Sequence, residues 1–252
     1  MTLKLESAEH KLLLAVCALL LFALLGPAIS QPVHQHDFAD QRFFGYFPNA
    51  ADVLSNLPFA LWGLAGLVTL PSVKLHRTNF GLCTLFFFGL ILTAFASGWY
   101  HLAPNNVGLA IDRWGMVFAF AGLIGLAVVD RVSIRAGASL CWLVLLSGAF
   151  SVWSWSLSGN VLPWLVLQFG GMVLVLCLTT RQPVHGALAV NWATVILIYA
   201  IAKVFELADH AVYDLTSHII SGHSLKHIVA SFAAWPIISA LRTQAKSQTN
   251  SN

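Results

Sequence analysis

The sequence predicts an all-α, multi-pass transmembrane helix bundle, with a seven-helix core preceded by an N-terminal signal peptide or an extra helix. The 252 residues are 58% hydrophobic and only 9% charged, and their mean hydropathy is +0.78. Soluble domains usually carry about 25% charged residues, and a soluble fold of this length could not hide so much apolar surface from water. Apolar runs long enough to cross a bilayer as helices, about 20 residues each, recur along the chain with short connections between them.

Eight such runs divide the chain. They lie near residues 12–30, 53–71, 80–100, 109–129, 136–155, 162–180, 188–206 and 220–241. We assign residues 1–30 to the signal peptide or extra transmembrane helix, 31–52 to an outer-face loop, 53–241 to the seven-helix core and 242–252 to a cytoplasmic tail. The tail is expected to be disordered, because it is short and polar.

The first run has two interpretations. Lys11 lies at its start, and small residues near its end, Ala28 and Ser30, are acceptable to a signal peptidase. Glu6 and Glu9 in the leading segment are unusual for a signal peptide. Cleavage and retention therefore both stay open at this stage.

The basic residues predict the topology. They occupy alternate connections and both ends of the chain: Lys4, Lys11, Lys74, Arg77, Arg131, Arg135, Arg181, Arg242 and Lys246. The intervening connections carry most of the acids: Asp37, Asp40, Asp52, Asp112, Glu206, Asp209 and Asp214. Since cytoplasmic loops are enriched in Lys and Arg, both termini are expected on the cytoplasmic side. The cations are scattered, so the net charge of +3 predicts no nucleic-acid partner.

Polar groups occur within the apolar helices in three places. The predicted topology puts all three at about the same depth in the bilayer, on the same side. One helix ends with Ser97 and His101, the next begins with Asp112, and the last opens with His223 and His227. Residues four apart share a helix face, so His223 and His227 can bind one ion. Ionisable groups in membrane helices usually face a cavity or one another. Three histidines and a water form a common catalytic zinc site, which we expect near the non-cytoplasmic face.

Each piece alone has a simpler interpretation. His101 could be an interfacial histidine bonded to a loop carbonyl group, and Asp112 could form an interfacial ion pair with Arg113. The spacing of His223 and His227 could be chance, or the pair could ligate haem. Convergence at one depth favours a shared site.

Three segments together resemble the alkaline ceramidase family. They are Asp-Val-Leu-Ser-Asn-Leu-Pro-Phe at 52–59, Ser-Gly-Trp-Tyr-His at 97–101 followed by Asp-Arg at 112–113, and Ser-Gly-His-Ser-Leu-Lys-His at 221–227. That family belongs to a wider group of seven-helix membrane proteins that includes the adiponectin and progestin receptors. The resemblance extends from about residue 37 to residue 242 and leaves out the first apolar run.

The resemblance implies a role for each matched residue. His101, His223 and His227 match the family's zinc ligands, Asp112 matches the acid that hydrogen-bonds the zinc-bound water, and Ser97 matches a serine beside the metal. The family cleaves the amide bond of ceramides, which releases a sphingoid base and a fatty acid. Asp112 and Ser97 are therefore the expected catalytic residues.

The resemblance also suggests a calcium site before the first core helix. Asp37, Asp40, Asn49 and Asp52 occupy the matching region, and their oxygens suit calcium. The match is partial, because Asn49 stands where the family has an acid and Arg42 adds a positive charge. A solvated acidic loop is the alternative.

Five further residues are candidates for contacts with substrate or with the ligands. Ser55 and Asn56 open a helix and would either cap it or brace the site. Glu206 and Asp209 share a helix face, in an ion-paired interfacial turn or in contact with a substrate headgroup. Lys226 lies between two expected ligands and would either contact the headgroup or extend towards the interface.

The sequence thus predicts a zinc-dependent integral-membrane amidase. Its substrate would be ceramide or a related N-acyl lipid, and its products a sphingoid base or other amine and a fatty acid. One alternative is a receptor-like or signalling seven-helix protein with structural zinc. Another is a membrane electron carrier that binds haem through His101 and His227. A transporter is disfavoured, because no paired repeat is apparent.

Overall fold

The computed structural model describes residues 5–250, so Lys4 of the predicted topology lies outside the described residues. The chain is all-α, and no β-strand occurs within this range. In chain order the helices are α1 (Ser7–Leu25), α2 (Ala50–Leu54), α3 (Leu57–Thr69), α4 (Arg77–Leu102), α5 (Asn106–Arg131), α6 (Ile134–Ser158), α7 (Leu162–Leu165), α8 (Gly171–Thr179), α9 (Trp192–Leu207), α10 (Asp209–Leu215), α11 (Gly222–Ser231) and α12 (Trp235–Asn250).

Short 3₁₀ and π-helical segments join several of these helices into longer continuous helical segments. A 3₁₀ turn, Leu70–Ser72, extends α3, and another, Phe232–Ala234, joins α11 to α12 ahead of Pro236. A π-helical stretch, Val166–Gly170, joins α7 to α8.

Seven helices in the described range are long and apolar enough to cross a membrane. They are Ser7–Leu25, Ala50–Ser72, Arg77–Leu102, Asn106–Arg131, Ile134–Ser158, Leu162–Thr179 and Gly222–Asn250. The run expected at 188–206 forms α9, whose 16 residues fall short of the others. The prediction of a multi-pass helical membrane protein is confirmed.

The expectation of a disordered tail is wrong for the part of it that is described. Helix α12 continues to Asn250. Leu241 is fully buried, and the Gln248 side chain pairs with the main chain of Lys74 through bonds of 2.9 and 3.0 Å. These contacts between distant parts of the chain order a segment that its composition alone would leave free.

Helices α4 and α5 form a tight antiparallel hairpin, which sets the position of the candidate site. A Cβ atom at Gly89 would overlap the main chain of Ala119, so the glycine allows the two helices to approach closely. The Asn105 side chain caps α5 by accepting a hydrogen bond from the amide of Gly108 at 2.8 Å. The end of α4 and the start of α5 therefore lie side by side at one end of the bundle.

Candidate metal centre and its cavity

His101, His223 and His227 converge at the end of α4 and the start of α11. Their ring centroids lie 4.7–5.0 Å apart, and one potential ligand nitrogen from each lies within 4.8 Å of the others. All three side chains are buried, and His101 is fully inaccessible. The convergence predicted from the sequence is confirmed, and the group could hold a metal ion.

The distances within the group fit a divalent ion. Nε2 of His223 lies 3.3 Å from Nε2 of His101. Two nitrogens bound tetrahedrally at the usual zinc–nitrogen distance would lie about 3.3–3.4 Å apart. Neutral imidazoles are also the donors that zinc and other late transition metals accept. The residues present therefore fit a metal of this kind.

His227 is oriented by a polar turn between α2 and α3. Ser55 Oγ lies 2.9 Å from its Nδ1 and donates its own proton to the carbonyl oxygen of Asp52, also at 2.9 Å. The Ser55 oxygen then accepts a hydrogen bond from the protonated Nδ1, which leaves Nε2 unprotonated and able to bind a metal. The Asn56 amide nitrogen lies 3.3 Å from the same Nδ1 and donates to the carbonyl oxygen of Asp52 at 2.8 Å, so it holds the acceptor that it shares with Ser55. Of the two roles left open for Ser55 and Asn56, the structure favours bracing, since neither side chain caps a helix.

The other two histidines are held through their main chains. The Asn49 side chain donates to the carbonyl oxygen of His101 at 2.8 Å. The Asp209 carboxylate accepts from the amide of His223 at 2.7 Å and from the amide of Ala39 at 3.0 Å. Asp209 therefore anchors the start of α11 and ties the segment before α2 to it.

Phe38 covers the histidine group, a feature that the sequence analysis missed. Its ring packs edge-on against His101 and His223, at centroid distances of 4.6 and 4.5 Å. Phe38 is 5% exposed and directly follows Asp37 in the segment that precedes α2. The phenylalanine directly after Asp37, one of the candidate calcium residues, was the available signal.

A cavity of about 730 Å³ lies beside the three histidines. Ser97 and Asp112 line it, together with His223 and His227. The Ser97 hydroxyl interacts with the Asp112 carboxylate, and Oδ1 of Asp112 is buried without a hydrogen-bond partner among the described residues. The predicted catalytic pair thus faces the same space as the candidate metal ligands.

Most of the remaining cavity wall is apolar, and it includes one hydrogen-bonded polar pair. Phe86, Leu90 and Phe120 contribute to the apolar surface. Gln168, in the π-helical stretch, donates to the hydroxyl of Tyr199 at 2.7 Å. The cavity is therefore large and apolar enough for a lipid chain.

Three charged side chains form a cluster on the cavity wall next to the histidines. Glu206 accepts hydrogen bonds from Lys203 and from Lys226, the latter at 3.2 Å. The Lys226 ammonium also lies 2.9 Å from Nε2 of His223 and donates to the lone pair that a metal would take, so metal binding through this nitrogen would require Lys226 to turn away. Ion pairing, one of the two interpretations left open for Glu206, is thus observed, and the cluster also faces the cavity.

The four candidate calcium residues are engaged in separate contacts. Among the described residues, Asp37, Asp40 and Asp52 do not form a carboxylate group close enough to share an ion. Asp52 accepts from the hydroxyl of Ser224 at 2.6 Å, and the side chain of Asn49 faces His101. The calcium site stays a prediction without a formed set of ligands.

Asp40 is fully buried and bonded by Arg42. The guanidinium donates to its carboxylate at 2.8 and 2.6 Å, and the Arg42 amide donates at 3.1 Å. Burial by itself would raise the pKa of Asp40, but the hydrogen bonds and charge of Arg42 outweigh it and hold that pKa below its usual value. The Arg42 that weakened the family match is therefore the direct partner of one candidate ligand.

No protein-family model matches the chain, and no curated protein matches it.

Proposed function

We propose that the protein is a zinc-dependent hydrolase of the membrane that cleaves the amide bond of ceramide or another N-acyl lipid. The convergence of His101, His223 and His227 beside a lipid-sized cavity is the observation that carries the proposal. The partial resemblance to alkaline ceramidases supports the choice of amide chemistry. The topology predicted from the basic residues puts the site near the non-cytoplasmic face.

The three histidines would hold the metal through one ring nitrogen each. Bound zinc would supply Lewis-acid activation of water and of the amide carbonyl group. The Ser55 hydroxyl keeps the His227 ring turned towards the group, and Asp209 fixes the start of α11. Such supporting contacts make the ligands ready for binding.

Asp112 would move the proton in the reaction. Its unpartnered Oδ1 would take a proton from the water that attacks the amide carbon and return it to the leaving nitrogen as the C–N bond breaks. The Ser97 hydroxyl, which donates to this carboxylate, would turn to the developing negative charge on the amide oxygen once Asp112 has taken the proton. Phe38 would limit the entry of bulk water from above the histidines.

The haem alternative receives less support from the geometry. The rings of His101 and His227 lie with their centroids 5.0 Å apart and tilted by 65°. This arrangement leaves no room for a flat macrocycle between the two imidazoles. The receptor-like alternative shares the ligands and differs only in turnover.

Metal content and product formation test the proposal together. His223→Ala should abolish both stoichiometric zinc and hydrolysis, whereas His185→Ala, at an exposed histidine outside the site, should retain both. Asp112→Asn should keep the metal and lower turnover by about a hundredfold or more. Zinc would be measured by mass spectrometry of the purified protein, and released fatty acid and amine by incubation with a panel of N-acyl lipids.

The two rival results are distinct. Zinc in the wild-type protein without hydrolysis of any N-acyl lipid would favour the receptor-like alternative. Full hydrolysis by His223→Ala would refute the proposed site.

A further inference from the structure

We infer that the preferred substrate carries an acidic group, a carboxylate or a phosphate, on its amine portion, and that the ammonium groups of Lys203 and Lys226, which Glu206 holds in place, bind this group. The inference rests on the proposed amidase function and specifies the class of lipid that it acts on.

The cluster of Lys203, Glu206 and Lys226 has two cations and one anion. Glu206 bonds to both ammonium groups, so the three side chains together carry one unit of positive charge. All three line the cavity, and the lysine side chains are only 18–19% exposed. Both ammonium groups face the cavity, where they are placed to donate charge-assisted hydrogen bonds to a bound anion.

Neighbouring charges on the cavity wall have partners of their own. Asp112 is attracted by Lys226 of the cluster as well as by Arg113, and Arg113 also packs over the ring of Trp155. Asp209 is satisfied by two main-chain amides at the start of α11. Asp37 stands at the mouth of the cavity near His34, and its side chain is 54% exposed. None of these groups bonds to either lysine of the cluster.

The position of the cluster selects the amine side of the substrate. The Lys226 ammonium is 2.9 Å from a nitrogen of His223, so the charge lies at the reacting end of the cavity. Lys203 continues the cluster away from the histidines, with its ammonium 5.7 Å from the ring centres of Phe169 and Tyr199. The apolar wall formed by Phe86, Leu90 and their neighbours suits the acyl chain. An acidic group of the substrate that lies near the amide bond, and is not on the acyl chain, must be part of the amine portion.

Two lipids that differ only in this charge provide the test. An N-acyl ethanolamine and its O-phosphate have the same acyl chain and the same amide bond, and N-acyl glycine offers a carboxylate instead. The wild-type protein in detergent micelles should show a kcat/KM about ten- to hundredfold higher for the two anionic lipids, the range expected for a charged hydrogen bond. Equal or better use of the neutral lipid would overturn the inference while leaving the amidase function intact.

Variants of Lys203 test whether the cluster causes the preference for anionic lipids. Lys203→Met should bring the ratio of anionic to neutral kcat/KM close to one, and Lys203→Arg should preserve the ratio because the charge remains. Lys246→Met, at an exposed lysine in α12, serves as the matched control. An unchanged ratio in Lys203→Met, accompanied by weaker inhibition by free fatty acid, would assign the cluster to the product carboxylate and overturn the substrate assignment.

A binding measurement separates this inference from the amidase function. Asp112→Asn protein should bind the phosphorylated lipid about tenfold or more tightly than the neutral one, and Lys203→Met should remove the difference. If binding discriminates but no lipid is hydrolysed by the wild-type protein, the proposed amidase function fails and the anion site stands.

Discussion

Ser55 Oγ lies 2.9 Å from Nδ1 of His227, a contact between residues that are 172 positions apart in the sequence. Because this hydroxyl already donates to the carbonyl oxygen of Asp52, it accepts a hydrogen bond from Nδ1–H and leaves Nε2 free for a metal. The contact links the segment between α2 and α3 to the candidate metal centre in α11. It also explains why this polar turn stands in the middle of an apolar span.

Removing the Ser55 hydroxyl should weaken metal binding without removing a ligand. Ser55→Ala is expected to lower zinc affinity by about tenfold or more, since supporting hydrogen bonds to ligating histidines contribute about that much. Competition with a chromophoric chelator would measure the affinity. Ser72→Ala, at an exposed serine, is the control, and equal affinities for the two variants would rule out the bracing role.

A side chain at Gly222 should disturb the start of α11. A Cβ atom there would overlap the carbonyl oxygen of Phe205 and lie 2.8 Å from Cα of Asp209, so the helices would have to separate. Gly222→Ala should lower stability by about 1–3 kcal/mol and reduce zinc affinity, because His223 is the next residue. Thermal unfolding and chelator competition would be compared with Gly81→Ala, where the added atom meets open space. Identical behaviour of the two variants would contradict the close packing of α9 and α11.

The N-terminal helix is expected to remain in the mature protein. The Glu9 carboxylate accepts from the hydroxyl of Ser133 at 2.7 Å and from the guanidinium of Arg135 at 2.5 Å. At the other end, the amide of Ile29 donates to the side chain of Asn160 at 3.0 Å. Cleavage would leave these partners without their contacts. Intact-mass analysis of protein purified from membranes should include residues before position 30, and a chain that starts near Gln31 would show that the segment is a signal peptide.

The Arg42–Asp40 pair should make stability depend on pH. Arg42→Met leaves a buried carboxylate without its main partner and should cost about 1–2 kcal/mol near pH 7, a modest value because Arg42 is half exposed. The pKa of Asp40 is lower in the folded protein than its usual value, so the contribution is present above the ordinary carboxyl range and is lost as the pH falls through the folded value. The difference in thermal midpoint between wild type and Arg42→Met should therefore shrink on acidification. Arg242→Met provides the exposed control, and a difference that is constant down to acidic pH would contradict the role of the pair.

The sequence by itself determined that the chain is a multi-pass membrane protein and which three histidines converge. It also predicted every helix of the described range that is long enough to span a membrane, and only the run at 188–206, which forms the shorter α9, differs from the structure. These features follow from the length of apolar runs and from residue spacing on a helix, which are local properties. Only the tertiary structure decided which groups support the histidines, because Ser55, Asp209 and Phe38 approach them from distant segments. The pairing of Asp40 with Arg42 was likewise invisible to composition, since a carboxylate can bind calcium or a guanidinium and only its neighbours in space decide between them. The order in the last helix depended on Lys74 for the same reason: a polar segment gains structure when a remote part of the chain supplies its contacts.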